Sequence, residues 1–353
     1  MKGFVYAAHA SRVIFGAGAL QRLSDEIARL GAHSALVLST PEQRTSAEQV
    51  AALLGPAAAG VFDRAVMHVP IETAREAREV ARSLGADCAV AIGGGSTVGL
   101  GKAIALDSGL PIIAIPTTYA GSEVTPIYGI TQDGLKTTGR DAKVLPRTVL
   151  YDPELTLGLP TSMSITSGIN AIAHAAEGLY AVDGNPIMDL MAQEGIAALA
   201  RSLPAIKANP SDIEARSHAL YGAWLCGTVL GNVGMALHHK LCHTLGGSFN
   251  LPHAETHTVV LPHTLAYNSG AAPGAMSRIA RAMGGSNASQ AIFDLAGHNG
   301  APVALRDIGM KQGDLAKAAD IAMQNEYPNP RPLDRDAILR LLQDAYDGRR
   351  PEP

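Results

Sequence analysis

The sequence predicts two domains, an α/β domain built on a doubly wound parallel sheet and an all-α domain after it. Up to about residue 150, short β-rich runs alternate with amphipathic helical stretches, a rhythm typical of parallel strands covered by helices. After Tyr151, Asp152 and Pro153, apolar residues recur at helical spacing and no convincing strand follows. The 353 residues, 47% of them hydrophobic, are enough to form two such cores.

Three short apolar runs predict the strands of the first domain. SALVLS, CAVAIGGG and LPIIAIPTT are typical of parallel strands that are buried on both faces. Between the first two, REAREVARSLG has alanine and valine at helical spacing and ends on Gly85, a residue suited to a helix C-cap. We expect strands at 34–39, 88–95 and 110–118, a helix at 75–85, and later helices at 162–181, 186–203 and 217–245.

The change in pattern places the domain boundary between Asp152 and Leu159. We expect a dinucleotide-binding domain over residues 1–155 and an all-α catalytic domain over residues 156–353. Ligands of doubly wound sheets bind at the carboxyl ends of the strands. We therefore expect the active site in the cleft between the two domains.

Composition and charge argue against several classes of protein. A net charge of −4 leaves no electrostatic footprint for nucleic acid. The N-terminus lacks the apolar run of a signal peptide, and no stretch reaches the ~18 consecutive apolar residues of a membrane span. The odd, scattered trio Cys88, Cys226 and Cys242 fits a reducing compartment rather than a disulfide framework. We expect a cytoplasmic protein with no nucleic-acid or membrane partner.

A glycine-rich turn follows the second predicted strand, at Gly93, Gly94, Gly95 and Ser96. Its glycines allow close backbone approach, and the helix N-terminus after it favours a pyrophosphate. The turn matches neither the Rossmann fingerprint nor the P-loop pattern. A tight turn without ligand would also use these glycines. A second loop rich in glycine and hydroxyls follows the next strand at 115–123, and the two loops together favour a dinucleotide.

Histidines are concentrated in the second half, where six of the 12 lie between positions 238 and 263. His239 and His243 are spaced i, i+4, and so are Asn170 and His174 on an earlier predicted helix. With His253 in the following loop, they indicate a site built by two helices and a loop. His238, His257 and His263 carry no such spacing argument, and we assign them structural roles.

These pieces together resemble the iron-containing alcohol dehydrogenase family, which has the dehydroquinate synthase-like architecture, over nearly the whole chain. The family's GGGSxxDxxK turn matches residues 93–102, although Gly99 replaces its acidic residue. Its PTTxxxGSEVT loop matches residues 116–125 in a slightly shorter form. The resemblance implies a nicotinamide cofactor, NADH or NADPH. The implied or expected cofactor-binding residues are Ser39, Thr40, Gly93, Gly94, Gly95, Ser96, Thr117, Thr118, Ser122 and Lys136.

The same resemblance implies that the family's metal ligands fall on Asn170, His174, His239 and His253, with His243 as the histidine of the second sphere. Asn170 stands where the family has aspartate, and a neutral amide is a poor ligand for a divalent cation. Within the family, this change resembles the maleylacetate reductases. We therefore expect no metal.

For that subgroup, the implied reaction is NAD(P)H-dependent reduction of the C=C bond of maleylacetate, a dianion, to 3-oxoadipate in aromatic-compound degradation. His243 or His239 is the expected proton donor, and His174, His253 and Asn170 complete the catalytic set. Partly protonated imidazoles would form a cationic pocket for the substrate. We expect a homodimer, joined by strands from residues 4–16.

Three alternatives remain open on the sequence. A metal-dependent alcohol dehydrogenase of the same family would hold zinc or iron with three histidines and Asn170. A lyase of the dehydroquinate synthase type would need an acidic ligand and a phosphate site rich in lysine and arginine. A histidine-rich metal-binding protein would leave the two dinucleotide-type loops without a purpose.

Overall fold

The computed structural model describes residues 4, 6, 11–132, 135–324 and 327–352, without the side chains of Leu135 and Lys136. The chain divides into two compact units, one over residues 8–159 and one over residues 160–353. The boundary lies four residues beyond the expected one at 155, and Phe4 and Tyr6 group with the second unit rather than with the first. The carboxylate of Asp152 accepts hydrogen bonds from the backbone amides of Gly18 and Leu20. These bonds hold the start of the connecting segment within the first unit.

A parallel sheet of six strands and a separate antiparallel hairpin form the first unit. In the sheet, β4 and β5 pair in register from Ala89 opposite Ile112 to Gly93 opposite Pro116, so both strands end at the same edge. The sheet order is β1-β8-β5-β4-β2-β3, and β6 pairs with β7. The strands are β1 (Arg12–Phe15), β2 (Ala35–Leu38), β3 (Ala58–Phe62), β4 (Cys88–Gly93), β5 (Ile112–Pro116), β6 (Ile127–Gln132), β7 (Leu135–Arg140) and β8 (Thr148–Tyr151).

The three predicted strands are confirmed as β2, β4 and β5, each slightly shorter than its apolar run. Every residue of these three strands is buried, as expected for a sheet covered on both faces. The predicted helix at 75–85 is confirmed as well, although it begins earlier, at Ile71, and ends at Ser83. Gly85 follows it with a φ of +62°, the left-handed conformation expected of a C-capping glycine.

Helices form all the regular α or β structure described after β8, as predicted. In its described residues, the first unit contains four α-helices, α1 (Leu23–Arg29), α2 (Arg44–Leu54), α3 (Ile71–Ser83) and α4 (Gly95–Ser108). The second unit contains α5 (Thr161–Gly178), α6 (Pro186–Ala208), α7 (Ile213–Asn232), α8 (Leu237–Phe249), α9 (His253–Asn268), α10 (Pro273–Ala282), α11 (Ala288–His298), α12 (Leu315–Ala322) and α13 (Arg335–Asp347).

The prediction of one helical stretch over 217–245 was wrong, because the chain breaks between α7 and α8. Val233 is extended, with φ −135° and ψ 163°, and the amide of Gly234 is bound by the carboxylate of Asp183. Within the described residues, no single helix is long and apolar enough to cross a membrane. Only α7 and α8 together meet that test, and they are bent by 96° at their break.

One apolar core of the helical unit holds α8 against α9, α12 and α13. Leu241 and Leu245 of α8 are fully buried there with Val260 of α9 and Ile338 and Leu342 of α13. Burial of each such side chain contributes ~1.5–3 kcal/mol. The opposite side of α8 is therefore free to carry polar residues in a fixed position.

The expected subunit-joining strand pair lies largely outside the described residues. Residues 5 and 7–10 of the segment 4–16 are not described. Arg12–Phe15 form β1, an edge strand that pairs with β8 of its own sheet. The homodimer stays a prediction.

Candidate active site

The predicted glycine turn lies where β4 ends and α4 begins. Gly93 is the last residue of β4, Gly94 is the N-cap of α4, and Gly95 is the first residue of the helix. The φ of Gly93 is +149°, and a β-carbon there would lie 2.5 Å from Thr97 Oγ1 and 2.6 Å from Gln43 Oε1. The backbone at Gly93 therefore requires glycine. Since Gly94 has no side chain to cap α4, the positive end of the helix dipole is presented to an anion.

Two buried hydroxyls lie at the same ends of the strands. Ser39 directly follows β2, and Thr97 lies in the first turn of α4. Both hydroxyl oxygens are buried, and no described residue hydrogen-bonds either of them. A dinucleotide carries phosphate oxygens and ribose hydroxyls that can supply such partners. With the glycine turn and the half-buried Ser96 and Thr118, these residues fit a nicotinamide cofactor.

Other predicted cofactor residues already have protein partners. Thr117 is buried, and its Oγ1 accepts a hydrogen bond from Gln43 Nε2 at 2.8 Å. Thr40 precedes a short helical turn and hydrogen-bonds the exposed carboxylate of Glu42. The side chain of Lys136 lies outside the described residues, and its backbone belongs to β7.

Lys102, the lysine of the glycine motif, is only 1% exposed. Its Nζ donates to the main-chain oxygens of Ser122, Thr125 and Ile127 at 2.7, 2.9 and 2.7 Å, and lies 2.9 Å from Thr125 Oγ1. Burial lowers the pKa of Lys102 to about 7, and the carboxylate of Glu123 acts in the opposite direction. An ammonium group donates three hydrogen bonds, so this oxygen cage suits the charged form. Lys102 therefore holds the backbone of the predicted cofactor loop, including Ser122, in a fixed position.

Three helices of the helical unit bring the predicted catalytic residues together. Asn170 and His174 lie on α5, His239 and His243 lie on α8, and His253 is the first residue of α9. His174 Nδ1 lies 2.9 Å from His239 Nε2, and Asn170 Nδ2 lies 3.5 Å from His174 Nε2. Asn170, His174 and His239 are all buried. The two i, i+4 pairs thus meet across the contact between two helices.

His243 and His253 lie further out in the same cluster. The side chain of His243 is exposed, and its ring centre is 6.2 Å from that of His239. His253 is half-buried, and its ring centre is 4.5 Å from that of His257. Of the five predicted residues, His243 is therefore the one best placed to exchange protons with solvent.

Glu177 is a buried carboxylate of α5 that the sequence analysis did not identify. It accepts a hydrogen bond from His239 Nδ1 at 2.6 Å, and others from the backbone amides of Ala236, His238 and His239 at 3.0, 2.9 and 3.2 Å. Glu177 thus caps α8 from a neighbouring helix. Burial acts to raise its pKa, but the hydrogen bond and charge of His239, then His238 and the Ala236 amide, lower the pKa to about 2.

The ionised Glu177 changes the charge expected for the site. We predicted a cationic pocket of imidazoles without any carboxylate. One negative charge now offsets one imidazolium, so a net positive charge requires two protonated rings. A glutamate on a helix is usually exposed, and the N–H partners of Glu177 are 59–62 residues away in sequence. The hydroxyl of Tyr180, three residues away, also donates to Glu177 Oε1 at 3.2 Å.

His238 and His257, which we assigned structural roles, are buried members of the same cluster. His238 Nε2 lies 2.9 Å from His257 Nδ1, and the ring of His257 is 5.0 Å from that of His239. Burial lowers the pKa of His238 to about 3 and lowers that of His257 well below its ordinary value. Both rings are therefore neutral at pH 7. The spacing of His257, four residues after His253, was a signal available in the sequence.

Family models match most of the chain. The model for the iron-containing alcohol dehydrogenase matches residues 10–153, and the model for the C-terminal part of that family matches residues 164–346. The chain belongs to the iron-containing alcohol dehydrogenase family. Since relatives at high identity are reductases of this family, it is an NAD(P)H-dependent oxidoreductase.

Several relatives match this family member over its whole length. A maleylacetate reductase from Burkholderia cepacia is 67% identical, and the match covers 99% of this chain and 100% of the relative. A solved structure of an alcohol dehydrogenase candidate from Ralstonia eutropha JMP134 is 66% identical, with a TM-score of 0.99 and full coverage of both chains. The crystal structure of maleylacetate reductase from Agrobacterium tumefaciens is 56% identical, with a TM-score of 0.96 over 99% of this chain and 100% of that one.

The family's metal is tested by the residues at its implied ligand positions. Asn170 Oδ1 is buried, and within the described part of the chain it has no hydrogen-bond partner. The facing nitrogens of His174 and His239 lie within hydrogen-bond distance of each other, and the carboxylate of Glu177 is occupied by four N–H donors. The four positions thus offer no anionic ligand to a divalent cation. This donor set does not fit the family's iron.

Proposed function

We propose that this chain reduces the C=C bond of maleylacetate to 3-oxoadipate with NADH or NADPH and without a metal ion, in the cytoplasmic degradation of aromatic compounds. The observation that carries the proposal is Asn170, an amide at the position of the family's acidic ligand, buried beside His174. The relatives named maleylacetate reductase, from 52% to 67% identical over nearly the whole chain, support the choice of substrate.

The bound nicotinamide, in its reduced form, supplies the hydride for the alkene carbon β to the ketone. Gly93, Gly94, Gly95 and Ser96 would hold its pyrophosphate at the N-terminus of α4, and Ser39 would bind its ribose. Negative charge then develops on the ketone oxygen of the substrate, and the α-carbon must take up a proton. Without a metal, a hydrogen-bond donor of the protein has to stabilise that oxygen.

Between the two histidines considered as donor, the geometry favours His243. Both ring nitrogens of His239 are engaged, Nδ1 with Glu177 at 2.6 Å and Nε2 with His174 at 2.9 Å. The exposed ring of His243 can be reprotonated from water after each turnover. We therefore assign the proton donor to His243, and we assign His239 to the support of the site.

A dianionic substrate requires positive charge, and two basic side chains, Arg331 and Lys143, differ in their surroundings. The guanidinium of Arg331 lies 4.2 Å from the ring centre of Tyr267 and donates to its main-chain oxygen at 3.3 Å. Lys143 is exposed at the end of a short helical turn. We propose that protonation of two imidazoles in the cluster, including His243, provides the positive charge that Glu177 does not offset.

We also propose that the chain acts as a homodimer. The edge strand β1 offers backbone groups for pairing with a second copy. Sedimentation equilibrium would give the mass of a single chain if this is incorrect.

The direct test is oxidation of NADH in the presence of maleylacetate, with and without a strong chelator. We expect equal rates in both conditions. Loss of activity with the chelator, restored by zinc or iron, would instead favour the metal-dependent alcohol dehydrogenase, and oxidation of simple alcohols would be its companion assay.

The substitution Asn170→Asp tests the residue that carries the proposal. It restores a carboxylate beside His174, His239 and His253, and so should create a site for about one zinc or iron ion per chain. Bound metal should raise the Tm, since it binds only the folded state, and maleylacetate reduction should fall. Elemental analysis of both proteins, purified side by side, decides the matter, because equal metal content would show that Asn170 is not the switch.

A further inference from the structure

Two side chains of α8 and one of α9 bring three metal-binding donors together. His238 and Cys242 are four residues apart on α8, and His257 lies against them on α9. His238 Nε2 is 2.9 Å from His257 Nδ1 and 3.7 Å from Cys242 Sγ, and one donor atom of each residue lies within 4.8 Å of the others. Tetrahedral zinc bonds imply N···N and N···S separations of roughly 3.3 and 3.6 Å. The two separations from His238 Nε2 are therefore within a few tenths of an ångström of those in a zinc site.

The surroundings of His238 already orient it as a ligand. Thr264 Oγ1 donates to the main-chain oxygen of Leu261 at 2.9 Å and lies 3.3 Å from His238 Nδ1, so it accepts the N–H of that ring. The lone pair of His238 Nε2 is thus directed toward His257 and Cys242, as in metal sites with an outer-sphere partner. His257 Nε2 is buried, and no described residue hydrogen-bonds it. This orphaned nitrogen leaves the trio incompletely satisfied.

The donor set selects a class of cation different from the family's iron. A thiolate and two imidazoles suit zinc, cadmium and copper(I), whereas carboxylates and amides suit harder ions. None of the three residues coincides with the family's ligand positions at Asn170, His174, His239 and His253. All three are buried, with side-chain exposures of 0–1%.

We propose that His238, Cys242 and His257 bind one thiophilic divalent cation, of the class of Zn²⁺ and Cd²⁺, and that its binding inhibits the enzyme. The Cys242 thiol releases its proton to solvent as the metal–sulfur bond forms. The ring of His257 lies 4.5 Å from that of His253 and 5.0 Å from that of His239, so the cation binds next to two residues of the predicted catalytic set. Inhibition rests on the proposed function, whereas binding does not.

Titration of the purified protein with Cd²⁺ tests the site directly, without an activity assay. The ultraviolet charge-transfer band of the cadmium–thiolate bond should reach its full intensity at one equivalent of metal. Because the site is buried, the absorbance should be followed after each addition until it is constant. Cys242→Ala should abolish the band and weaken binding at least about a hundredfold, since it removes a ligand rather than an outer-sphere partner. Cys226→Ala, which removes an equally buried thiol of α7, should retain both.

Each other outcome overturns the site. Binding without the thiolate band, unchanged in Cys242→Ala, would place the ion among the other imidazoles. Absence of binding, or a band lost in Cys226→Ala alone, would also reject it. If Cys242→Ala does not fold, His257→Asn takes its place. A charge-transfer band in His257→Asn equal to that of the wild type would then reject the site. If Cd²⁺ binds as described but the NADH-dependent activity on maleylacetate is absent, the site stands and the proposed function fails.

Discussion

Among the buried charged side chains of the two units, Lys102 and Glu177 are surrounded in opposite ways. Lys102 of the α/β unit is enclosed by oxygen atoms of one loop, and Glu177 of the helical unit is enclosed by N–H groups. The partners of Lys102 are main-chain oxygens and a hydroxyl, which do not titrate near neutral pH. One partner of Glu177 is a side chain of the predicted catalytic set, the imidazole of His239.

This difference indicates that the two buried groups contribute to activity in different ways. Lys102 fixes the shape of a loop, so its loss should change how the cofactor binds. Glu177 fixes both a helix terminus and the orientation of an imidazole, so its loss should change stability and proton chemistry. Substitutions in the two units should accordingly separate into effects on binding and effects on chemistry.

The largest effect is expected for His243→Ala, which leaves Lys102 and Glu177 in place. Loss of a general acid or oxyanion donor should lower kcat by about 10²–10⁴. The affinity for NADH, measured by fluorescence, should hardly change. His218→Ala, which removes an exposed imidazole of α7, is the matched control. If His243→Ala keeps more than a tenth of kcat, the proton donor lies elsewhere, and His239 is next in line.

Glu177→Gln should be the most destabilising change, because it places an N–H₂ group among N–H donors. The folded pKa of about 2 lies below the ordinary 4.5, so the ionised carboxylate contributes about 3 kcal/mol at neutral pH. Because the folded pKa is lowered, this contribution is full above pH 4.5 and is lost as the pH falls toward 2.

Urea unfolding of wild type and Glu177→Gln across this pH range measures the difference. The gap in unfolding free energy should narrow as the pH falls, and the exposed Glu194→Gln should show little gap at any pH. A gap that does not depend on pH would mean that the ionised carboxylate is not what stabilises α8.

Lys102→Met tests the role of the buried lysine of the α/β unit. It keeps the length of the side chain but leaves the oxygens of Ser122, Thr125 and Ile127 without their donor. We expect the KM for NADH to rise about tenfold with kcat nearly unchanged, as for a loss of uniform binding. A fall in kcat with an unchanged KM would show that the loop acts in the chemistry, and would remove the division between the units.

The smallest effect concerns the choice between NADH and NADPH. Dinucleotide sites that prefer NAD carry an acidic residue that binds the ribose hydroxyls and disfavours a 2′-phosphate, whereas this chain has Thr40 after Ser39 at the end of β2. We expect kcat/KM values within about a hundredfold, or under ~3 kcal/mol. A much larger preference for NADH would contradict this, and Glu42→Gln would then show whether the carboxylate bonded to Thr40 supplies the repulsion.

Much of the fold was predictable because it is encoded locally. The strands β2, β4 and β5 are short apolar runs bounded by polar or glycine residues, and they form where the pattern predicts them. The break between α7 and α8 was not predictable in this way, because the apolar periodicity continues through it. The break depends on a distant contact, between Asp183 and the amide of Gly234.

The candidate site shows the same limit. The i, i+4 pairs on α5 and α8 led to Asn170, His174, His239 and His243, because helical spacing places such residues on one face. Glu177 was missed because its role arises only when α5 meets the N-terminus of α8. Spacing identifies the members of one helix face, whereas the contact between two faces belongs to the tertiary structure.

Four hydrogen-bonding groups form a row that runs from Asn170 through His174 and His239 to Glu177, and the hydrogens that this row needs can be counted. The row has three links, and each link needs one hydrogen. Two neutral imidazoles supply two of them, the ionised Glu177 supplies none, and the amide of Asn170 supplies the third. With aspartate at position 170, acceptors would stand at both ends and the row would lack one hydrogen. Such a row needs either an extra proton or a bound cation to satisfy every link. With an amide nitrogen in place of one carboxylate oxygen at position 170, all three links are satisfied without either.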